Sequence, residues 1–151
     1  MLKEGDKAPD FTVFDSSGQA VSLKNFKGKD VLLYFFPKAN TPGCTMETCD
    51  FRDQHKLIQK KGAVVLGMSA DSLKSQSNFA AKCGVSFPLL CDEGKQILKA
   101  YGVWKEKSLY GRKFMGIERT TVIIGKDGRI RRIFPKVKVK GHAEAVLQAL
   151  G

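Results

Sequence analysis

The sequence predicts an α/β domain in which helices flank a central mixed β-sheet. Three observations predict it: short apolar runs alternate with longer segments that carry helix-start and helix-stop residues, a hairpin lies towards each end, and the length suits one domain. The chain has 151 residues, and globular domains commonly have about 100–200. We therefore expect residues 1–151 to form a single domain.

Each element is predicted from its local sequence. Short apolar runs predict strands that are buried on both faces, and Asp127-Gly128 between β-branched runs is a strong hairpin signal. Ser72 is a suitable helix cap, and Gly84 ends the helix that follows it. The predicted elements are, in chain order, a hairpin (11–14 and 20–23), a strand (31–36), a helix (41–61), a strand (63–69), a helix (72–82), a short edge strand (89–90), a short helix (94–101), a hairpin (120–124 and 129–134) and a helix (141–150).

The order of these elements predicts the topology. A strand–helix–strand unit joins parallel strands by a crossover, whereas the late hairpin adds antiparallel strands, so the sheet is expected to be mixed. A β-α-β unit followed by a β-β-α unit is the arrangement of a thioredoxin-like fold. We expect this fold, preceded by an N-terminal β-hairpin.

The composition is that of a globular protein and excludes several classes. Hydrophobic residues make up 42% and charged residues 27% of the chain, which excludes a disordered or fibrous protein. The first residues contain no apolar segment typical of a secretory signal, and the longest strongly apolar run, 31–36, is far below the roughly 18 residues of a membrane span. With four cysteines, too few for a disulfide scaffold, the chain is expected to be cytoplasmic.

The net charge of +11, from 26 basic and 15 acidic residues, attracts anions in general. The basic residues concentrate in segment 126–140 and in what we expect to be a loop after Trp104. Because the chain shows no nucleic-acid-binding module and no groove of stacking aromatics, we interpret these segments as solvated faces rather than as a nucleic-acid site. They could also help to dock an acidic reductase. The isolated His55 and His142 are interpreted as surface residues.

Segment 36–49 is the part of the sequence that indicates chemistry. It lies where a buried strand leads into a long helix, at the edge of the sheet where α/β proteins place ligands. Thr41 and Pro42 form a helix-start signal, a hydroxyl cap followed by proline at the first helical position. Cys44 then lies near the third helical position, where unpaired N–H groups and the helix dipole favour an anion. We predict that Cys44 is a reactive thiolate, although most free cysteines are buried packing residues.

Cys49 follows Cys44 by five residues, and this spacing has a geometric consequence. On an intact helix the two Cα atoms are about 8.6 Å apart, whereas a disulfide requires less than about 7 Å. A Cys44–Cys49 disulfide would therefore require the first turns of the helix to unwind. The alternative is that Cys49 faces the core and never meets Cys44.

Several separated motifs resemble one known family. Pro37, Thr41 and Cys44 match the Pro-x-x-x-Thr-x-x-Cys signature of the peroxiredoxins, and Cys49 resembles the second cysteine of the bacterioferritin-comigratory, or Q-type, subgroup. The resemblance covers nearly the whole chain. The other stretches that are similar to the family are 5–11, 87–90, 101–104 and 116–121.

The resemblance implies a thioredoxin-dependent thiol peroxidase, an antioxidant enzyme of the atypical two-cysteine type. It implies that Cys44 is the peroxidatic cysteine and Cys49 the resolving one, joined in a redox disulfide. Thr41 is expected to offer its hydroxyl to the peroxide, Pro37 to shield the pocket, and Arg119 to face the sulfur. A rigid, permanently charged guanidinium suits that last role, because it can stabilise a thiolate and polarise a peroxide together.

The resemblance also implies the rest of the cycle. Hydrogen peroxide and organic hydroperoxides are reduced to water and alcohols while Cys44 becomes a sulfenic acid. Cys49 condenses with that acid to a disulfide, which thioredoxin reduces. The implied enzyme needs no metal, haem or flavin and binds no membrane. A monomer is the commoner state in the family, and we expect one here.

Three further residues are interpreted from their positions in the sequence. Glu47 is expected to orient the loop through backbone N–H groups, or simply to favour the positive end of the helix. Cys83 and Cys91 are interpreted as packing thiols. Some members of the subgroup carry the resolving cysteine on the later helix, at a position that matches Ala80, three residues before Cys83.

Two alternative functions are open at this point. A disulfide reductase of thioredoxin type is the nearest enzymatic alternative, but that chemistry prefers Cys-x-x-Cys spacing. A non-catalytic module is the other, either a basic nucleic-acid binder or a metal carrier that uses Cys44 and Cys49. The spacing of these cysteines with His55 does not supply the four ligands of a structural zinc site.

Overall fold

The computed structural model describes residues 2–151, which form nine strands and four α-helices. The strands are β1 (Thr12–Phe14), β2 (Ala20–Ser22), β3 (Asp30–Phe35), β4 (Ala63–Ser69), β5 (Leu89–Cys91), β6 (Trp104–Leu109), β7 (Arg112–Ile117), β8 (Thr120–Ile124) and β9 (Ile130–Phe134). The helices are α1 (Pro42–Lys60), α2 (Leu73–Cys83), α3 (Gln96–Ala100) and α4 (His142–Ala149), with a short 3₁₀ helix at Leu23–Phe26.

The central sheet has the strand order β5-β4-β3-β8-β9. Strands β3, β4 and β5 are parallel, and β8 pairs antiparallel with both β3 and β9. Strands β1 and β2 form a separate antiparallel hairpin. The mixed sheet, the flanking helices and the N-terminal hairpin that the sequence predicts are therefore confirmed.

Strand β3 lies in the middle of the sheet, and all six of its residues are buried. Its alternate side chains pack into two different cores, one on each face of the sheet, because successive residues of a strand point to opposite faces. Leu32 and Tyr34 pack with α1, α2 and α4, whereas Leu33 and Phe35 pack on the opposite face with α3 and the N-terminal hairpin. The sequence predicts this two-sided burial because β3 contains no alternation of apolar and polar residues.

The short segment between β3 and α1 is tied to the neighbouring strand. The Ala39 amide donates to Asp71 Oδ2 at 2.8 Å, and the Ser69 hydroxyl donates to the same oxygen at 2.6 Å. Asn40 then adopts a left-handed backbone conformation, with φ of 65°, which asparagine tolerates better than most residues. This turn redirects the chain from the sheet into α1.

Helix α2 begins and ends as its sequence predicts. The Ser72 side chain accepts a hydrogen bond from the Ser75 amide at 3.2 Å, which satisfies one of the unpaired donors of the first turn. Gly84 ends the helix in a left-handed conformation, with φ of 64°, and glycine adopts this without steric cost.

Two expectations about the fold are wrong. The segment after Trp104 is not a loop, because β6 and β7 form a regular antiparallel hairpin there, with Tyr110 and Gly111 at positive φ in its turn. His142 is buried rather than at the surface, and its Nε2 is hydrogen-bonded to the Thr121 hydroxyl at 2.7 Å. Within residues 2–151, no helix combines the length and the apolar character that crossing a membrane would require.

Candidate active site

Cys44 lies in the first turn of α1, as the helix-start signal predicts. Pro42 is the first helical residue and Cys44 the third. The Cys44 side chain is completely buried, with 0% exposure. Amides in the first turn of a helix have no intrahelical acceptor and carry the positive end of the helix dipole. The sulfur is thus enclosed by protein beside a partial positive charge.

Arg119 supplies a full positive charge at the same sulfur. It immediately precedes β8, and its Nη2 donates to Cys44 Sγ at 3.4 Å. Gly43 makes room for this contact, because a Cβ atom there would lie 3.2 Å from Arg119 Nη2. The sequence predicts this position of Arg119, immediately before the buried strand that begins at Thr120.

Glu47 holds the other side of the same guanidinium. Its Oε1 accepts from Arg119 Nη1 at 2.7 Å, while Oε2 has no hydrogen-bond partner among residues 2–151. Burial raises the pKa of Glu47 to about 7, although Arg119 acts in the opposite direction. Glu47 therefore holds Arg119, whereas the sequence led us to expect contacts with the loop backbone or a favourable position at the positive end of the helix.

The environment of Arg119 keeps its guanidinium protonated. Burial alone would lower the pKa of Arg119, but Glu47 and Cys44 raise it, and the net direction is upward. Since an arginine is already charged at all physiological pH values, the guanidinium acts as a fixed cation between the thiol and the carboxyl group. The arrangement can stabilise negative charge on sulfur and on an oxygen that approaches it.

Thr41 occupies the cap position of α1 but does not cap it. Its backbone is extended, and the side chain makes no capping bond to a described residue. The hydroxyl instead donates to the Lys38 carbonyl at 2.7 Å. Because that bond uses the hydroxyl proton, the lone pairs of Thr41 Oγ1 are available as acceptors. The expected hydroxyl cap is thus wrong, and the hydroxyl is held within the active-site segment.

Pro37 is half-buried and lines a cavity of about 370 Å³. Trp104, Phe114 and Met115 from the β6–β7 hairpin contribute apolar surface to the cavity, and Lys38 and Lys107 lie at its wall. The hairpin that sequence analysis misses therefore forms one side of the space next to the active-site segment.

Comparisons with known proteins agree with this geometry. Residues 4–133 match the model of the AhpC/TSA family. This chain belongs to the AhpC/TSA family. It is 46% identical to a putative peroxiredoxin, bcp, of Coxiella burnetii, over 99% of each chain. It is 44% identical to peroxiredoxin Bcp of Bacillus subtilis, over 99% of this chain and 95% of the relative.

Solved structures give the same result for the fold of this AhpC/TSA protein. The bacterioferritin comigratory protein of Xanthomonas campestris superposes with a TM-score of 0.92 at 40% identity, covering 98% of this chain and 97% of the other. The predicted thioredoxin-like fold and the predicted family are thereby confirmed. The protein is an enzyme of peroxiredoxin type, and its family acts on peroxides with thioredoxin-type reductants.

Cys49 lies further along α1 and forms no disulfide with Cys44 in the described structure. Helix α1 is continuous from Pro42 to Lys60, and all four cysteines are free thiols. Cys49 is partly exposed and packs against the core cluster that contains both Cys44 and Cys83. The structure therefore joins Cys44, Glu47 and Arg119 by hydrogen bonds and leaves Cys49 outside that group.

The remaining candidate residues lie away from the Cys44–Arg119 pair. Cys91 is buried at the end of β5, and His55 is half-buried, with Nδ1 3.3 Å from the Ser86 hydroxyl. Among residues 2–151, no group of three or more histidine, cysteine, aspartate or glutamate side chains is arranged to hold a metal ion. Sequence analysis misses Asp71, which anchors the active-site segment from a separate strand end and has no local sequence signal.

Proposed function

We propose that this protein reduces hydrogen peroxide and organic hydroperoxides through Cys44, with Cys49 as the resolving cysteine and thioredoxin as the reductant. One observation carries the proposal: Arg119 Nη2 lies 3.4 Å from Cys44 Sγ at the start of α1. A cysteine at a helix N-terminus beside a cation has the environment that favours the thiolate. The cytoplasmic location, the monomeric state and the single domain stay predictions.

In the first step the Cys44 thiolate attacks one peroxide oxygen. The S–O bond forms as the O–O bond breaks, and the leaving oxygen takes a proton and departs as water or an alcohol. Arg119 is positioned to stabilise both the thiolate and the charge that develops on the leaving oxygen. Thr41 Oγ1 is positioned to accept a hydrogen bond from the hydroperoxide O–H, because its own proton is engaged by Lys38.

In the second step Cys49 attacks the Cys44 sulfenic acid, forming a disulfide and releasing water. The two cysteines lie five residues apart on the continuous helix α1, so their Cα atoms are about 8.6 Å apart. The first turns of α1 must therefore unwind before the sulfur atoms can bond. A dithiol reductant then restores both thiols by exchange.

The cavity beside Pro37 supports organic hydroperoxides as substrates. Its apolar wall, formed by Trp104, Phe114 and Met115, is suited to an alkyl chain. The Xanthomonas campestris relative has alkyl peroxide reduction activity. We infer that this chain accepts alkyl hydroperoxides in addition to hydrogen peroxide.

Peroxide-dependent oxidation of NADPH, coupled through thioredoxin and thioredoxin reductase, tests the proposal. The wild-type protein should turn over continuously, and Cys44→Ser should be inactive. Cys49→Ser should react with about one equivalent of peroxide and then stall, because its sulfenic acid has no resolving partner. Cys91→Ser, a buried cysteine outside the site, is the matched control and should turn over.

Two outcomes of this assay would contradict the proposal. A wild-type protein that consumes no peroxide, or a Cys44→Ser variant that retains turnover, would show that Cys44 is not the reacting group. Disulfide reduction without peroxide would instead support the thioredoxin-like reductase, which the family relationship does not favour.

A further inference from the structure

Cys83 and Cys49 form a pair of thiols that the peroxidase cycle above does not use together. Cys83 is the last residue of α2 and is buried, at 1% exposure. Cys49 is partly buried and packs against the core cluster to which both Cys83 and Cys44 belong. Cys49 and Cys83 therefore lie in the layer in which α1 packs against α2.

Arg52 fixes this pairing of the two helices. It lies one turn after Cys49 on α1, and its Nη1 donates to the Cys83 carbonyl at 2.7 Å. The bond joins the C-terminal end of α2 to the face of α1 that carries Cys49. Cys49 and Cys83 therefore both lie at a defined junction between two helices, and this junction exists while α1 is intact.

From this junction we infer that Cys83 is a second resolving cysteine, which takes the disulfide from Cys44–Cys49 and stores it as Cys49–Cys83. The inference rests on the proposed function, because that function supplies the first disulfide. In the transfer, Cys83 loses its proton to solvent and attacks Cys49 Sγ. A Cys83–Cys49 bond forms, the Cys44–Cys49 bond breaks, and Cys44 leaves as a thiolate. No further oxidant is consumed.

The structure favours transfer in this direction for two reasons. First, the Cys44–Cys49 disulfide requires α1 to unwind, whereas the Arg52 bond that joins the Cys49 face of α1 to the end of α2 is present with α1 intact. Second, the departing Cys44 thiolate is the one that Arg119 can stabilise, at 3.4 Å. The transfer therefore allows the helix start to re-form and returns Cys44 to its reactive position.

Cys83 is protonated in the reduced enzyme. Burial and the neighbouring Cys49 raise the pKa of Cys83 to about 11, while the cations Arg52 and Lys82 act in the opposite direction. These two cations are therefore the groups that can stabilise the Cys83 thiolate when it attacks.

Peroxide consumption without any reductant tests the inference. Transfer regenerates Cys44, so the wild-type protein should consume about two equivalents of hydrogen peroxide per chain and end with a Cys44 sulfenic acid. Cys83→Ser should consume about one equivalent and keep the Cys44–Cys49 disulfide. Cys91→Ser is the matched buried-cysteine control and should consume about two equivalents.

Peptide mapping of the wild-type protein gives an independent readout that needs no variant to fold. After one equivalent of peroxide, non-reducing digestion and mass spectrometry should find Cys49 linked to Cys83 and Cys44 free for alkylation. A Cys44–Cys49 disulfide with free Cys83, or a Cys44–Cys83 disulfide, would overturn the relay. One equivalent consumed by the wild-type protein would overturn it while leaving the proposed function intact. No consumption at all would refute the proposed function.

Discussion

Replacing Glu47 by glutamine should change the pH dependence of stability by a predictable amount. Glu47 is buried, one carboxylate oxygen has no partner among the described residues, and burial raises its pKa from 4.5 to about 7. Between these two pH values the native state binds a proton that the unfolded state has lost. Stability therefore falls as the pH rises through this window.

The size of the effect follows from the pKa difference. The favourable contribution of the protonated carboxyl group is complete below pH 4.5 and is lost above about pH 7. Each pKa unit corresponds to about 1.4 kcal/mol, so the free energy of unfolding should fall by about 3 kcal/mol across the window for this group alone. Glutamine has a similar shape and can still accept from Arg119, but it cannot ionise.

Urea denaturation under reducing conditions at pH 5, 6, 7 and 8 measures this directly. The stability of the wild-type protein relative to Glu47→Gln should fall by about 2–3 kcal/mol between pH 5 and pH 8. The exposed Glu144→Gln is the control and should show no comparable change. Making the same comparison in a Cys44→Ser background removes any contribution from the thiol. If the free energy of unfolding of the wild-type protein relative to Glu47→Gln stays constant between pH 5 and pH 8, or rises with pH, the argument is refuted.

Two further substitutions test the site and the core beside it. Gly43→Ala should slow the oxidation of Cys44 by hydrogen peroxide about tenfold. The new Cβ would lie 3.2 Å from Arg119 Nη2, so the guanidinium must shift by a few tenths of an ångström beside the sulfur. Stopped-flow measurement should find no such loss in Gly94→Ala, where the new Cβ has no neighbour within 4 Å. Burial and Arg119 lower the pKa of His142 from 6.5 to about 4, so native stability is lost as the pH falls through that range. Thermal unfolding of His142→Gln should show a flatter acid limb, and an unchanged slope would contradict the assignment.

Much of the fold can be predicted from the sequence because its strongest signals are local. Strand β3 is an uninterrupted apolar run, and Ser72 and Gly84 mark the limits of α2 by their own backbone preferences. The β6–β7 hairpin is missed for the opposite reason. Its sequence is rich in charged residues, and most of its side chains are exposed, so no core-facing pattern distinguishes it from a loop.

The candidate site divides in the same way between local and long-range information. The position of Cys44 follows from the helix-start signal, and the link to Arg119 follows from the family resemblance. The partner of Glu47 could not be predicted, since Arg119 lies 72 residues away in sequence and only the fold brings them together. His142 is similar: it looks isolated in the sequence, but the packing of α4 buries it against Thr121.

The structure also sets limits on the unwinding that the proposed disulfide requires. Two local features weaken the first turn of α1: Gly43 is a poor helix former, and the Thr41 hydroxyl donates to the Lys38 carbonyl instead of capping the helix. The chain on each side of that turn is held by contacts with other elements. Before it, the Ala39 amide donates to Asp71 at 2.8 Å; after it, the Phe51 ring stacks on Tyr34 with the ring centroids 4.6 Å apart.

Opening confined between Ala39 and Phe51 would give Cys44 and Cys49 the freedom to meet without disturbing the sheet or the later turns of α1. It would also move Cys44 away from Arg119. Cys44 can then react with a second peroxide only after the first turn of α1 has re-formed. In the proposed function, reduction by an external dithiol would provide that step once per cycle. The inferred transfer of the disulfide to Cys83 would provide it within the chain, and this links the weak first turn and the junction at Cys83 as parts of one proposed redox cycle.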